Sequence, residues 1–224
     1  MAKTSVLLNE MYEAMRLRFG HQGWWPGETP LEVCVGAILT QNTNWINVEK
    51  AIINLKAAGL LSVAALHGKP PAELAELIRP AGYFNVKAKR LKNFIHHVHQ
   101  GWGEDIEGFL DRPISTLREE LLSINGIGFE TADSIILYAA GKPTFVVDAY
   151  TARIMLRHQL IYIEAGYEEI KEVFESNLPS EAELFNDYHA QLVAVGKNFC
   201  RPMAKCESCP LEKFPHDRFA GRGE

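Results

Sequence analysis

Several absences narrow this chain before any motif is read. Its 224 residues contain no run of about 18 consecutive apolar residues, so no membrane-spanning helix is expected. The pattern of a secretory signal peptide is missing as well, so secretion is not indicated. No alternating apolar and polar stretch of useful length occurs, and no internal repeat or low-complexity segment, which leaves helices to build the fold. Excess positive charge is also lacking: 23 Lys and Arg stand against 28 Asp and Glu, a formal charge of -5. Nucleic-acid binders are more usually basic. The balance counts against extensive phosphate neutralisation, yet a backbone amide site and a local patch can hold a phosphate chain on an otherwise acidic surface. Lys87, Lys89, Arg90 and Lys92, with His96, His97 and His99 beyond them, supply one such patch, or else a solvated helix face. Cysteine is scarce, four in all. Disulfides are not expected in what reads as a cytoplasmic, monomeric enzyme.

What is present is helical periodicity. Ser5 to Phe19 carries Leu8, Met11, Met15 and Phe19 near one face and stops at Gly20, a glycine cap. Further helices are expected at about 29–40, 44–57, 61–66, 71–78, 85–100, 116–124, 129–140, 149–157, 167–176 and 181–196. Pro80, Pro113, Pro143 and Pro179 fall between them, where a proline costs no helix hydrogen bond. The fold class is therefore all-α, and a chain that is 47% hydrophobic can bury a full core as one domain or two small ones.

The most informative stretch is Leu121-Leu-Ser-Ile-Asn-Gly-Ile-Gly-Phe-Glu-Thr-Ala-Asp133. It reads as two helices joined by a Gly-x-Gly turn, the first opening on a capping box at Thr116 and Glu119. Gly126 and Gly128 let the backbone turn tightly and approach another surface. The second helix then presents its unpaired N–H groups, a phosphate site made of backbone, in which Ile127 and Thr131 also take part. The bland alternative is an ordinary helix–helix turn. Twenty residues after Gly128 comes Asp148, ahead of Ala-Tyr-Thr-Ala-Arg. It suits a helix N-cap, and the helix dipole favours its charged form. An ionised Asp beside a sugar can stabilise an oxocarbenium-like cation as a base departs, or orient a water to attack it.

Together these residues resemble the helix-hairpin-helix, Gly/Pro-rich loop and Asp signature of the endonuclease III superfamily of DNA base-excision glycosylases. Gly36-Ala-Ile-Leu-Thr-Gln41-Asn42 resembles that family's first core helix and duplex-probing turn, and Gly82-Tyr-Phe-Asn-Val-Lys87-Ala is similar to its Gly-x-Tyr-x-x-Lys-Ala segment. The match runs in order from about residue 28 to 209. The resemblance implies a two-lobed fold: a six-helix bundle over 24–138, and a second lobe of 1–23 with 139–224 that carries Asp148. It also implies double-stranded DNA with damaged bases as the partner.

Two departures bear on chemistry. Family members that also cut the strand carry a lysine at the second position after the Gly-x-Gly, where this chain has Glu130, which cannot form a Schiff base. A monofunctional glycosylase is therefore implied. Trp24, Trp25 and Pro26, with Trp45 and Glu130, resemble the base pocket of the 3-methyladenine glycosylases of this branch. A methylated purine is cationic, and indole faces attract it by about 0.5 to 2 kcal/mol. A mismatch adenine glycosylase would need a general acid, and in that branch a Glu stands at the position that is Gly36 here. Another lesion specificity, and a non-catalytic DNA clamp, stay open as alternatives.

Cys200, Cys206 and Cys209 form a dense C-terminal group, while Cys34 sits in an apolar helix as a small core residue. The spacing suggests metal ligation. Family members commonly hold a [4Fe-4S] cluster here on four cysteines. In this chain the first gap is shorter by one and the fourth slot falls on Pro215, leaving His216 as the candidate fourth ligand. An iron–sulfur cluster, zinc and a metal-free loop are the three readings.

Overall fold

A computed structural model describes residues 2–221. Among the described residues there are helices and no strand. The helices are α1 (Ala2–Phe19), α2 (Pro30–Leu39), α3 (Trp45–Ala57), α4 (Val63–Gly68), α5 (Pro71–Leu77), α6 (Phe84–Trp102), α7 (Ile106–Leu110), α8 (Ile114–Ser123), α9 (Phe129–Ser134), α10 (Ala149–Arg157), α11 (Tyr167–Glu175) and α12 (Ala182–Asn198). A 3-10 turn, Arg79–Ala81, precedes α6, and α9 runs on into a π-helical turn, Ile135–Ala139. The chain divides into two compact units, residues 25–142 and the pair of segments that flank them.

In the 25–142 unit, α2 is the central element. Thr29 caps it by accepting from Glu32 N at 3.2 Å, Pro30 opens it without wasting an N–H, and every residue from Leu31 to Leu39 is buried. Around it α3, α6 and the π turn contribute Val48, Leu55, Leu91, Phe94 and Ile135 to one core. Cys34 lies wholly inside that core, where burial pushes its thiol up. In the other unit, α12 packs on α1 and α10. Tyr12 and Asp187, buried, bond at 2.8 Å, and Asp187 also accepts from Gln22 N at 2.8 Å, which ties the segment after α1 to α12. Gly196 allows the close approach of α10, because a Cβ there would stand 2.3 Å from the Tyr150 ring.

Three expectations fail in detail. The capping box at Thr116 does not form; α8 starts two residues earlier with Pro113 at its N-cap and no side-chain cap. α7 was not expected, since five residues are too few to display a period. Ala140 N donates to Ile135 O at 3.0 Å, five residues back, so the end of the expected 129–140 helix is π-helical.

Candidate functional site

The hairpin follows from local chemistry. Gly126 has φ 101, and a Cβ on it would stand 2.3 Å from Arg90 Cγ, so both backbone and space require glycine. Gly128 differs: its backbone is extended, and nothing lies within 4 Å of where a Cβ would stand. It stands at the N-cap of α9 and faces open space. Ile127 is buried and its N–H donates to Ile124 O at 3.0 Å, so it closes the turn from inside and is not a surface contact. The two hairpin helices are clamped by Arg118, which donates from Nε to Asp133 Oδ1 at 2.8 Å and from Nη2 to Oδ2 at 3.0 Å.

Gln41 lies after α2, next to Asn42, whose φ of 54 turns the chain toward α3. Its amide donates to Gly126 O at 3.1 Å and to the Thr131 hydroxyl at 2.9 Å, and its oxygen accepts from Arg90. The turn and the hairpin, distant in sequence, are thus one hydrogen-bonded piece. Thr131 is buried and acts as Gln41's acceptor, in place of the DNA contact expected of it. Lys87 is likewise no part of a surface patch: it is 1% exposed and its ammonium donates to Leu39 O at 2.8 Å and Ala81 O at 2.7 Å. Burial pushes it down to about 8. Lys92 donates to the carbonyls that end α4, Leu66 at 3.1 Å and Lys69 at 3.0 Å. Lys89 is exposed. Tyr83, in the Gly82–Lys87 segment, is 72% exposed with φ 45 at the start of α6, a bulky residue held out on a backbone conformation it rarely adopts.

An aromatic group sits on α2. The Trp25 ring meets Trp45 edge-on at 5.0 Å and stacks on Tyr138 at 5.0 Å. Gly36 lies beneath: a Cβ there would be 3.2 Å from Trp25 Nε1 and 3.5 Å from Trp45 Cζ3. Tyr138 rides on the π turn, whose extra residue no sequence period announces. Pro26 is exposed, and Glu130 is exposed in the first turn of α9. Trp24 belongs to the other unit, with its ring 5.8 Å from His189 and Lys197 Nζ 5.7 Å from its centroid.

In that unit Asp148 is the N-cap of α10, and its Oδ1 accepts from Thr151 N at 2.7 Å. Its other oxygen faces His189 Nε2 at 3.8 Å. His189 is buried, and burial pushes its imidazole down while the Asp148 charge opposes the shift. No spacing in the sequence links position 189 to 148.

Cys200, Cys206 and Cys209 line one cavity with His158, His216 and Arg157. Burial pushes the Cys209 thiol up to about 11, with Cys200 and Cys206 adding to the shift, so the sulfurs sense one another. Arg157 donates to Cys200 Sγ at 3.3 Å, Arg201 O at 2.7 Å and Pro202 O at 3.0 Å. Three thiols on one cavity fit a thiophilic group in donor type. As they stand, no set of three or more His, Cys, Asp or Glu among the described residues is arranged to hold a metal ion. His216 Nδ1 lies 2.8 Å from Phe214 O.

An all-helical chain with a Gly-x-Gly hairpin and a carboxylate capping a later helix has the make-up of the helix-hairpin-helix repair proteins. The chain belongs to the HhH-GPD superfamily of base excision DNA repair proteins, whose model matches residues 35–180. It is 50% identical over 209 residues to a Methanocaldococcus jannaschii protein named as a DNA repair glycosylase, covering 93% of this chain and 95% of that one. The H. pylori 3-methyladenine DNA glycosylase MagIII, solved bound to 1,N6-ethenoadenine, is 30% identical with a TM-score of 0.74, over 87% of this chain and 97% of that one. An endonuclease III–DNA complex shares the fold at a TM-score of 0.81 and 19% identity, over 96% of each chain. No helix among the described residues is long and apolar enough to cross a membrane.

Proposed function

We propose that this DNA glycosylase excises alkylated purines, 3-methyladenine foremost, from double-stranded DNA and leaves the strand uncut. The observation that carries the substrate reading is the Trp25, Trp45 and Tyr138 group over Gly36, electron-rich ring faces suited to a cationic methylated base. That base needs little acid catalysis, because its charge already weakens the glycosidic bond. Likeness to a 3-methyladenine glycosylase supports the same reading. Asp148 supplies negative charge beside the sugar, stabilising the oxocarbenium-like cation or aligning the attacking water. Glu130, where a lyase would carry its amine, supports monofunctional chemistry. In the same reading Gln41 fills the gap left by the extruded base, an extrusion that costs a few kcal/mol. Gly126, Gly128 and the amides of α9 hold phosphate.

For the C-terminal loop, the reading is that Cys200, Cys206 and Cys209 hold a [4Fe-4S] cluster, with His216 as fourth ligand. Such a cluster would order the loop and supply no step of excision. Iron and sulfide analysis, with absorbance near about 400 nm, tests it; zinc alone or no metal at all would replace it.

The central test is incubation with methylated duplex DNA, chromatography of the released bases and a parallel gel. Release of 3-methyladenine is expected, with nicks only after alkali. Borohydride-trappable cleavage would sink the monofunctional reading. Asp148→Asn is expected to slow excision about 100-fold or more with DNA affinity kept.

A further inference from the structure

The two oxygens of Asp148 are in different hands. Oδ1 accepts from the Thr151 backbone at 2.7 Å, and Oδ2 faces His189 Nε2 at 3.8 Å. His189 reaches that point from α12, and the helix can come so close because the residue two turns further along is Gly196, pressed against Tyr150 of α10. The ring is buried, with Trp24 5.8 Å away on the segment after α1. Among the groups that face it are Asp148 from α10 and the Trp24 indole, over which Lys197 Nζ lies at 5.7 Å.

We infer that His189 is a positioning residue for Asp148: its Nε2–H closes onto Oδ2 and, with the Thr151 amide on Oδ1, holds the carboxylate in one orientation. The inference rests on the reading of Asp148 as the catalytic carboxylate. A neutral donor suits the task. Burial keeps the imidazole uncharged, so it orients the carboxylate without cancelling the negative charge that the sugar cation needs. A Lys or Arg at this place would pair with that charge and screen it. Catalytic hydrogen bonds are often long before DNA is bound, so 3.8 Å is a separation that ring rotation can close.

Two variants separate orientation from packing. Gln can place its amide nitrogen where Nε2 lies, whereas the Asn amide is too short to reach Oδ2. The first readout needs no scissile base: with the protein held on an abasic-analogue duplex, the side-chain carboxyl carbon of Asp148 is observed by NMR, assigned with Asp148→Asn. Its chemical shift is expected to move in His189→Asn, because the donor to Oδ2 is gone, and to stay near wild type in His189→Gln. Single-turnover excision on duplex treated with a methylating agent should fall about 10-fold in His189→Asn and within about 3-fold in His189→Gln. Affinity for an abasic-analogue duplex should not change in either variant. An unmoved carboxyl signal in both variants, or equal slowing by both, would overturn the inference while leaving Asp148 in its role. Near-wild-type excision by Asp148→Asn would overturn both together. Failure of the wild type on methylated DNA would overturn the substrate reading alone, since the NMR comparison stands without it.

Discussion

In the helical hairpin the fastenings come from the hairpin itself or the turn beside it: Arg118 and Asp133 are 15 residues apart, and Gln41 bonds to Gly126 and Thr131. In the cysteine loop they come from α10. Arg153 donates to Cys200 O at 2.7 Å and Arg157 reaches Cys200, Arg201 and Pro202, from 43 to 47 residues away. The hairpin's fastenings are half-buried and cross-braced, and Arg118's end on the fully buried Asp133, whereas the carbonyls of Arg201 and Pro202 belong to exposed residues, so water can replace what Arg157 gives them. Damage to the hairpin should therefore spread through its whole unit, and damage to the loop should stay local.

The largest effect is expected from Arg118→Ala. It leaves Asp133, 0% exposed, without its bidentate partner, and removing one partner of a buried pair costs about 3 to 5 kcal/mol, measured by denaturant unfolding. A loss under about 1 kcal/mol would mean that other contacts hold Asp133 and that the contrast between the regions is false. Arg157→Met should change the unfolding midpoint far less, yet speed proteolysis within 199–216 several-fold. Global unfolding as severe as that of Arg118→Ala would erase the distinction.

The two glycines sharpen it further. Gly126→Ala meets both φ 101 and Arg90, so it should destabilise by about 1 to 3 kcal/mol. Gly128→Ala should fold normally and weaken binding to damaged and undamaged duplexes by similar factors, since phosphate contacts position without reading the base. A loss confined to lesion-bearing DNA would move the hairpin off the backbone. A last effect concerns pH. Folding pushes Lys87 down to about 8, so above that the unfolded chain holds a proton that the folded one releases, and stability rises with pH up to the unfolded value near 10.4. The stability of the native chain relative to Lys87→Met should therefore improve from pH 8 to 10; a flat difference would show that Lys87 stays charged throughout.

The hairpin, the Asp148 cap and the long amphipathic helices were legible in the sequence because each is written in consecutive residues: a glycine needing positive φ, an Asp before a helix, apolar positions three and four apart. What was not legible depends on distant partners. Lys87 looks like a surface charge until Leu39 O and Ala81 O are found around it. Thr131 looks exposed until Gln41 claims it. Tyr138 joins the indoles because five residues wind as a π turn, and His189 meets Asp148 through the packing of α10 on α12. Trp24 and Trp25 are neighbours in sequence but fall in different units.

Gly36 carries a consequence for Trp25. A glutamate at this position is what the resemblance assigns to enzymes that protonate a neutral adenine, and even its Cβ would press on Trp25 Nε1 at 3.2 Å. Any side chain at 36 therefore requires the Trp25 ring to give by a few tenths of an ångström, so the two positions are set together. Position 36 thus ties the size of its own side chain to the seat of Trp25, and a change at one is felt first at the other.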